Sequence, residues 1–313
     1  MRITILALLV VSALLVVPFA ASSGTVYFVT LILIWSIFAV AFDLVFGLAG
    51  MLSFGHAAFF GAGAFVYGLV MQALPDQFVL AVLGAVAAAS FLALVAGVLA
   101  LRLSGIYFSL TTLAIAELVF FAASSPLRAV TGGEDGIAGV PRPVLLGLDF
   151  NDDRSFYFLV LGIFLAVLAM VATLRQSPFG KVLNGIRLCE IRAEQVGFNV
   201  KICKAVIFAV SGAFSGLAGA LLAGLIMYVN PQTLHWSTSG DVVIMTLLGG
   251  KGTLFGPILG VAAYEVLKET VSAYTVHWYG ILGLIFILAT IYLPSGIFGA
   301  FARPLQRLRG RKE

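Results

Sequence analysis

Uninterrupted apolar runs dominate the chain. They lie near residues 3–21, 26–46, 51–72, 78–101, 105–124 and 156–174, then 204–228, 239–250, 253–269 and 273–293. A run of about twenty residues spans the roughly 30 Å hydrocarbon core of a bilayer as a helix. In hydrocarbon every backbone N–H and C=O must be satisfied within the protein, so a spanning segment is either a helix or a strand of a closed barrel. Barrel strands alternate in polarity over about ten residues; these runs do not, and helices are expected. Only 10% of residues are charged and 61% are hydrophobic, whereas soluble domains carry about 25% charged residues. A water-facing surface cannot be covered from that supply, so membrane lipid is an expected partner. The fold class is all-α: a polytopic transmembrane helical bundle of about ten spans, forming one domain over residues 1–313. The run at 239–250 is only about 18 Å long as a helix, so it either crosses by packing on its neighbours or is partly re-entrant.

Orientation follows from lysine and arginine, which collect in cytoplasmic loops. The segment 175–204 carries Arg175, Lys181, Arg187, Arg192, Lys201 and Lys204, and the tail at 295–313 carries Arg303, Arg307, Arg309, Arg311 and Lys312. Both are expected in the cytoplasm. The loop 125–155 carries Arg128, Arg142 and Arg154 against Glu134, Asp135, Asp149, Asp152 and Asp153, and is expected outside as a periplasmic loop. Six spans up to residue 175 and four beyond it put both basic segments on one side. Residues 1–22 also resemble a signal peptide, with Arg2, an apolar run, Pro18 and a small-residue site at Ala20–Ser22. Their length favours a retained first span.

The net charge of +4 does not point to nucleic acid: basic residues sit between apolar runs and are not interleaved with stacking aromatics. Cys189 and Cys203 lie in one loop expected to be cytoplasmic and reduced, and His56, His235 and His277 are far apart in sequence. No metal-ligand spacing appears. Lys251 follows glycines in Gly249-Gly250-Lys251-Gly252-Thr253, but Met245 stands where a phosphate loop needs glycine and Gly252 where it needs Ser or Thr. No other Walker motif is present, and no cofactor is expected. A nucleophile–base constellation is also missing, so no enzyme activity is expected.

Small residues recur every fourth position. Gly212, Gly216, Ala220 and Gly224 form one row, with Ser211, Ser215, Gly219 and Ala223 beside it. Gly252, Gly256 and Gly260 repeat the spacing, as do Ala49, Ser53, Ala57 and Gly61. Such rows let helix backbones approach closely in lipid. Gly47-Leu-Ala-Gly50 and Gly249–Gly252 each precede a row and a Phe-Gly pair (Phe54-Gly55, Phe255-Gly256), a hint of an internal repeat. Asp43, His56 and Glu117 lie within or at the edges of apolar runs. With Ser53 they are candidates for lining a translocation path, because intramembrane charges face the bundle interior. Asp43 and His56 fall toward the same ends of consecutive spans, where they could pair. Ser53 is three residues from His56, within contact distance on a helix.

After Ser177-Pro178-Phe179-Gly180 breaks its span, Lys181 to Gln195 reads as a short amphipathic helix ended at Gly197. Such a helix either lies on the membrane surface or docks on a soluble partner.

The stretches SPFGKVLNGIRLCEIRAEQVGFNV and FSGLAGALLAG resemble the coupling region of LivM-type permeases, the membrane subunits of ABC importers for branched-chain amino acids. FGLAGMLSFGHAAFFGAGAF, LRLSGIYFSLTTLAIAE, TGGEDGIAGVPRP and LLGGKGTLFGPILG agree in the same order, between residues 46 and about 260. The resemblance implies a permease working by alternating access in the bacterial inner membrane. Its partners would be a homologous second permease subunit, two ABC ATPase subunits that bind the ATP, and a periplasmic substrate-binding protein. It implies that Gly180, Arg187, Glu190, Glu194 and Gly197 mark the ATPase-coupling segment. Leu188-Cys189 departs from the acid and Asn of relatives. Asp135 and Gly136 match a family motif in the outer loop, where they would help dock the binding protein or shape the outer gate. Relatives also carry urea and short amides. A stand-alone secondary carrier coupled to protons through Glu117 or Asp43 is the alternative reading of the residues.

Overall fold

The structure is a computed structural model that describes residues 12, 14–145, 148–275, 277–293 and 295–300. Most of the expected first span at 3–21 and of the basic tail at 295–313 lies outside these residues. Seven helices among the described residues are long and apolar enough to cross a membrane. Two further apolar runs form shorter helices of 14 and 17 residues. The architecture is a helical bundle.

Helix α1 (Ser23–Asp43) starts at Ser22, whose hydroxyl accepts from the Thr25 N–H, and runs into a π-helical turn at Leu44–Leu48. Helix α2 (His56–Ala73) follows a non-helical stretch, and α3 (Phe78–Ala100) and α4 (Ile106–Ser124) complete the first half. The apolar run at 51–72 is therefore not one helix. Ala49 and Ser53 stand in the break before α2, not on a helical ridge. The reason is local: Gly50 takes φ +76°, a left-handed conformation that interrupts a helix and that side-chain-bearing residues disfavour.

A short helix α5 (Arg128–Thr131), β1 (Ile137–Ala138), β2 (Val144–Leu145) and β3 (Leu148–Asp149) make the loop before α6 (Asp153–Gln176). Ser177 then ends α6 and caps α7 (Pro178–Leu188), its hydroxyl accepting from the Gly180 N–H at 3.1 Å. Proline at the first helical position suits this start, because the N–H it lacks would be unpaired there. Helix α8 (Glu190–Gln195) leads to α9 (Val200–Ile226), which ends at Met227 in the left-handed conformation. β4 (Tyr228–Val229), α10 (Trp236–Gly249), α11 (Gly256–Ser272) and α12 (Trp278–Tyr292) follow. β4 pairs antiparallel with β1 and β2 with β3.

Helix α9 is the core of the bundle. A Cβ on Gly212 or Gly216 would collide with Ala93 or Ala89 of α3, and one on Gly219 would fall on the Phe60 carbonyl of α2. Ala220 is fully buried, and Gly224 faces Tyr67 and Phe156. The α3 side of this seam is a row of buried alanines at every fourth residue, Ala81, Ala85, Ala89 and Ala93. Hydrophobic association is absent between apolar helices in lipid, so this close approach and its dispersion contacts hold the three helices together. Gly256 and Gly260 seat α11 against Gly249 and Met245 of α10 in the same way. Gly252 does not belong to that row: it lies in the turn before α11, at φ +79°.

Candidate functional site

The two glycine breaks, Gly47–Gly55 and Gly249–Gly256, meet at the end of the bundle that carries the basic segment. Asp43, fully buried, closes that junction. Its carboxylate forms an ion pair with Arg175 from the end of α6 and accepts the Gly252 N–H at 2.9 and 3.2 Å through its two oxygens. Gly47 leaves no room for a side chain, because a Cβ there would strike Asp43 and the Gly252 nitrogen. Arg187 of α7 donates to the Gly47 carbonyl, and its stem lies over Gly50. Lys251 stands 4.7 Å from the centroid of the Phe46 ring. One carboxylate thus joins α1, α6 and the α10–α11 turn, and one arginine joins α7 to the same turn of α1. The charges are buried, but the cation and the N–H satisfy the carboxylate, and that is the condition under which a buried ion pair is tolerated.

His56 is fully buried and takes other partners. Its Nδ1 lies 3.1 Å from Ser53 Oγ and its Nε2 2.9 Å from Ser211 Oγ, and Ser211 in turn donates to the Ala41 carbonyl at 2.6 Å. Phe42, Phe59 and Phe208 surround the ring edge-on. The expected pairing of Asp43 with His56 is thus replaced by two separate knots. Ser53 and His56 do touch, across the start of α2. Beside them, Ser239 Oγ of α10 accepts the Ala57 N–H at 2.8 Å, satisfying one of the unpaired donors of the α2 N-terminus.

Glu117 of α4 is about one-third exposed and accepts the Trp236 N–H at 3.2 Å, with His235 Nε2 3.9 Å away. It caps the N-terminus of α10, the end of a helix that favours negative charge. Helix α10 therefore begins beside the middle of α4, not at the loop end of the bundle. Its 14 residues span about 21 Å, and the 3₁₀ turn Pro231–Leu234 that leads into it packs against Gly61 of α2.

In the basic segment, Gly180 fits against the Leu174 and Arg175 carbonyls, where a Cβ would collide. Glu190 is exposed and pairs with Lys204 at 2.5 Å, and Glu194 and Gly197 are exposed. Helices α7 and α8 flank an open hollow of about 400 Å³ lined by Lys181, Val182, Leu188, Arg192, Ala193, Val196 and Phe198. At the other end, the Asp135 carbonyl accepts from Tyr228, and Gly136 lies against the Val229 carbonyl, just before the β1–β4 pairing.

Two acids were missed by sequence reasoning. Asp241 of α10 accepts the Tyr264 hydroxyl proton at 2.8 Å. Glu265 of α11 is 2% exposed, lies 3.5 Å from Lys268, and leaves one oxygen without a hydrogen-bond partner. Asp241 within the apolar run at 239–250, and Glu265 with Glu269 within that at 253–269, were the available signal. No group of His, Cys, Asp and Glu fit to hold a metal occurs among the described residues.

Membrane-length helices, two facing glycine breaks and one amphipathic segment outside the bundle are the build of a polytopic membrane protein. The chain belongs to the family described as the permease component of the branched-chain amino acid transport system, which matches residues 24–291. This is a family of permeases, not of enzymes. The chain is 29% identical over 317 residues to the high-affinity branched-chain amino acid transport system permease protein LivM of Escherichia coli (strain K12), covering 93% of this chain and 74% of that protein. It is 28% identical to LivM of Salmonella typhimurium, covering 98% of this chain and 77% of that protein. With the permease protein LivH of Salmonella typhimurium it shares 24% identity, over 87% of this chain and 93% of that protein. No solved structure matches the chain.

Proposed function

We propose that the chain is one of two membrane-spanning subunits of an ATP-driven importer in the bacterial inner membrane. It forms half of a path that passes branched-chain or related amino acids by alternating access. Its partners are a homologous second permease, two ABC ATPases and a periplasmic substrate-binding protein. The segment 175–204 and the C-terminus face the cytoplasm. The observation that carries this reading is the exposed apolar surface of α7 and α8. Leu188, Ile191 and Val196 are each more than two-thirds exposed, and the first and last of these line a hollow together with Lys181 and Arg192. An exposed apolar patch with a polar rim marks an interaction site, and a soluble ATPase is the partner that the family supplies. The alternative of a carrier coupled through Asp43 or Glu117 draws little support from their surroundings, since the first is held by Arg175 and the second by a backbone N–H.

The test is reconstitution of the chain with its second permease and ATPases in liposomes, with leucine and urea offered on the side of the binding protein. Leucine uptake that needs ATP and the binding protein is expected. Leu188→Glu combined with Val196→Glu is expected to leave insertion intact but remove the ATPases from the purified complex. Full uptake by that variant would sink the docking assignment. Uptake by the chain alone, driven by a pH gradient, would replace the importer with the carrier.

A further inference from the structure

We infer that Asp43 is a positioning residue that couples movement of the 175–204 segment to the α10–α11 hairpin. This rests on the importer reading above and adds the route inside the bundle.

Besides its covalent ends and the buried Leu183 and Ile186 of α7, the segment reaches the helices through two arginines. Arg187, exposed on α7, places its guanidinium on the Gly47 carbonyl, and Arg175, just before α7, pairs with Asp43. Both contacts end on a single turn of chain, the π-helical stretch Leu44–Leu48 and the residue preceding it. From there the Asp43 carboxylate carries the connection to the Gly252 N–H of a different helix pair. The absence of space at Gly47 makes this contact unyielding: the two turns are in van der Waals contact, and neither can shift along the other without displacing it.

The elements joined are those able to change shape. A π-helical turn, Gly50 at φ +76° and Gly252 at φ +79° interrupt the helices on both sides. Breaks of this kind absorb the dihedral changes of a hinge while flanking helices move as rigid bodies. Asp43 itself is fully buried and its oxygens are occupied, so it offers nothing to a passing solute. Its chemistry suits transmission: a carboxylate can hold a guanidinium and a backbone N–H at once through two strong, directional bonds.

The experiment uses the complete importer in liposomes and measures leucine imported per ATP hydrolysed. Asp43→Asn keeps an oxygen for the Gly252 N–H but loses the ion pair, and Arg187→Gln shortens and neutralises the second link at an exposed position. Each is expected to leave the complex assembled and hydrolysing ATP while the ratio falls about tenfold, the size of effect of one charged hydrogen bond. Arg187→Lys is expected to recover part of it. If Asp43→Asn does not accumulate, the double variant Asp43→Asn, Arg175→Met, in which no charge is stranded, carries the test. An unchanged ratio in an assembled complex overturns the inference. So does loss of the ATPases from Arg187→Gln, which would make that residue a surface contact. A parent chain that binds no ATPase and imports nothing with ATP would instead overturn the importer reading.

Discussion

At the scale of residues, buried charge and missing side chains decide most of what can change. Replacing Arg175 by Met leaves Asp43 buried without its ion-pair partner and is expected to cost about 3–5 kcal/mol. The double variant Asp43→Asn, Arg175→Met should recover much of that loss, because no charge is then stranded. Unfolding of the purified protein in detergent, followed by temperature, reads both. Glycines separate in the same assay. Gly219→Ala drives a methyl group into the Phe60 carbonyl and should lose about 1–3 kcal/mol. Gly162 of α6 has nothing within 4 Å of an added Cβ, and Gly162→Ala should be neutral or gain up to about 1 kcal/mol from helix propensity. The α9 glycine row can be read from its spacing alone, because a four-residue repeat is a property of one segment. The partner of Asp43 cannot, since Arg175 lies 132 residues away and nothing local to either residue names the other. Asp241 and Glu265 escaped for a different reason: both sit toward the ends of their apolar runs, and their partners Tyr264 and Lys268 emerge only once the helices are packed.

At the scale of elements, apolarity showed where chain enters lipid but not where it bends. The run at 51–72 is continuous in composition, yet its first residues form a break, since turn and helix in a membrane interior are equally apolar. The glycines carried the signal, at positions 47, 50 and 55. Helix α10 comes from a run short for a span, and Glu117 at its N-terminus shows how a short helix can start within the bundle without leaving its first N–H groups bare. The junction of α10 with α2 gives a direct test. Ser239→Ala removes the acceptor of the Ala57 N–H and leaves a buried donor unpaired, for an expected loss of about 1–3 kcal/mol. Ser237→Ala, two residues earlier at an exposed position, should cost less in the same unfolding measurement.

For the whole molecule, the charge distribution makes a claim about sidedness that a label can check. Cys189 is exposed and Cys203 half-buried, and both belong to the basic segment. In a Cys203→Ser background, a membrane-impermeant maleimide should modify Cys189 in inside-out vesicles and not in intact spheroplasts. Labelling from the outer face would reverse the proposed orientation. The helical class and its basic and acidic ends were legible because lipid imposes them on composition. The way the ends are braced was not. It depends on contacts such as β1 with β4, which join residues 137–138 to 228–229 across most of a helix-rich half.

The Asp43 ion pair also sets an order of events during synthesis. The α1 carboxylate reaches the bilayer 132 residues before its arginine exists and 209 before the Gly252 N–H does. At about 5–20 residues per second, the first wait lasts roughly 7–26 s, during which the carboxylate has no arginine to pair with. Helix α1 is therefore expected to linger at the insertion machinery, and ribosome-stalled chains ending before Arg175 should crosslink to it through α1, whereas chains that include Gly252 should have let go.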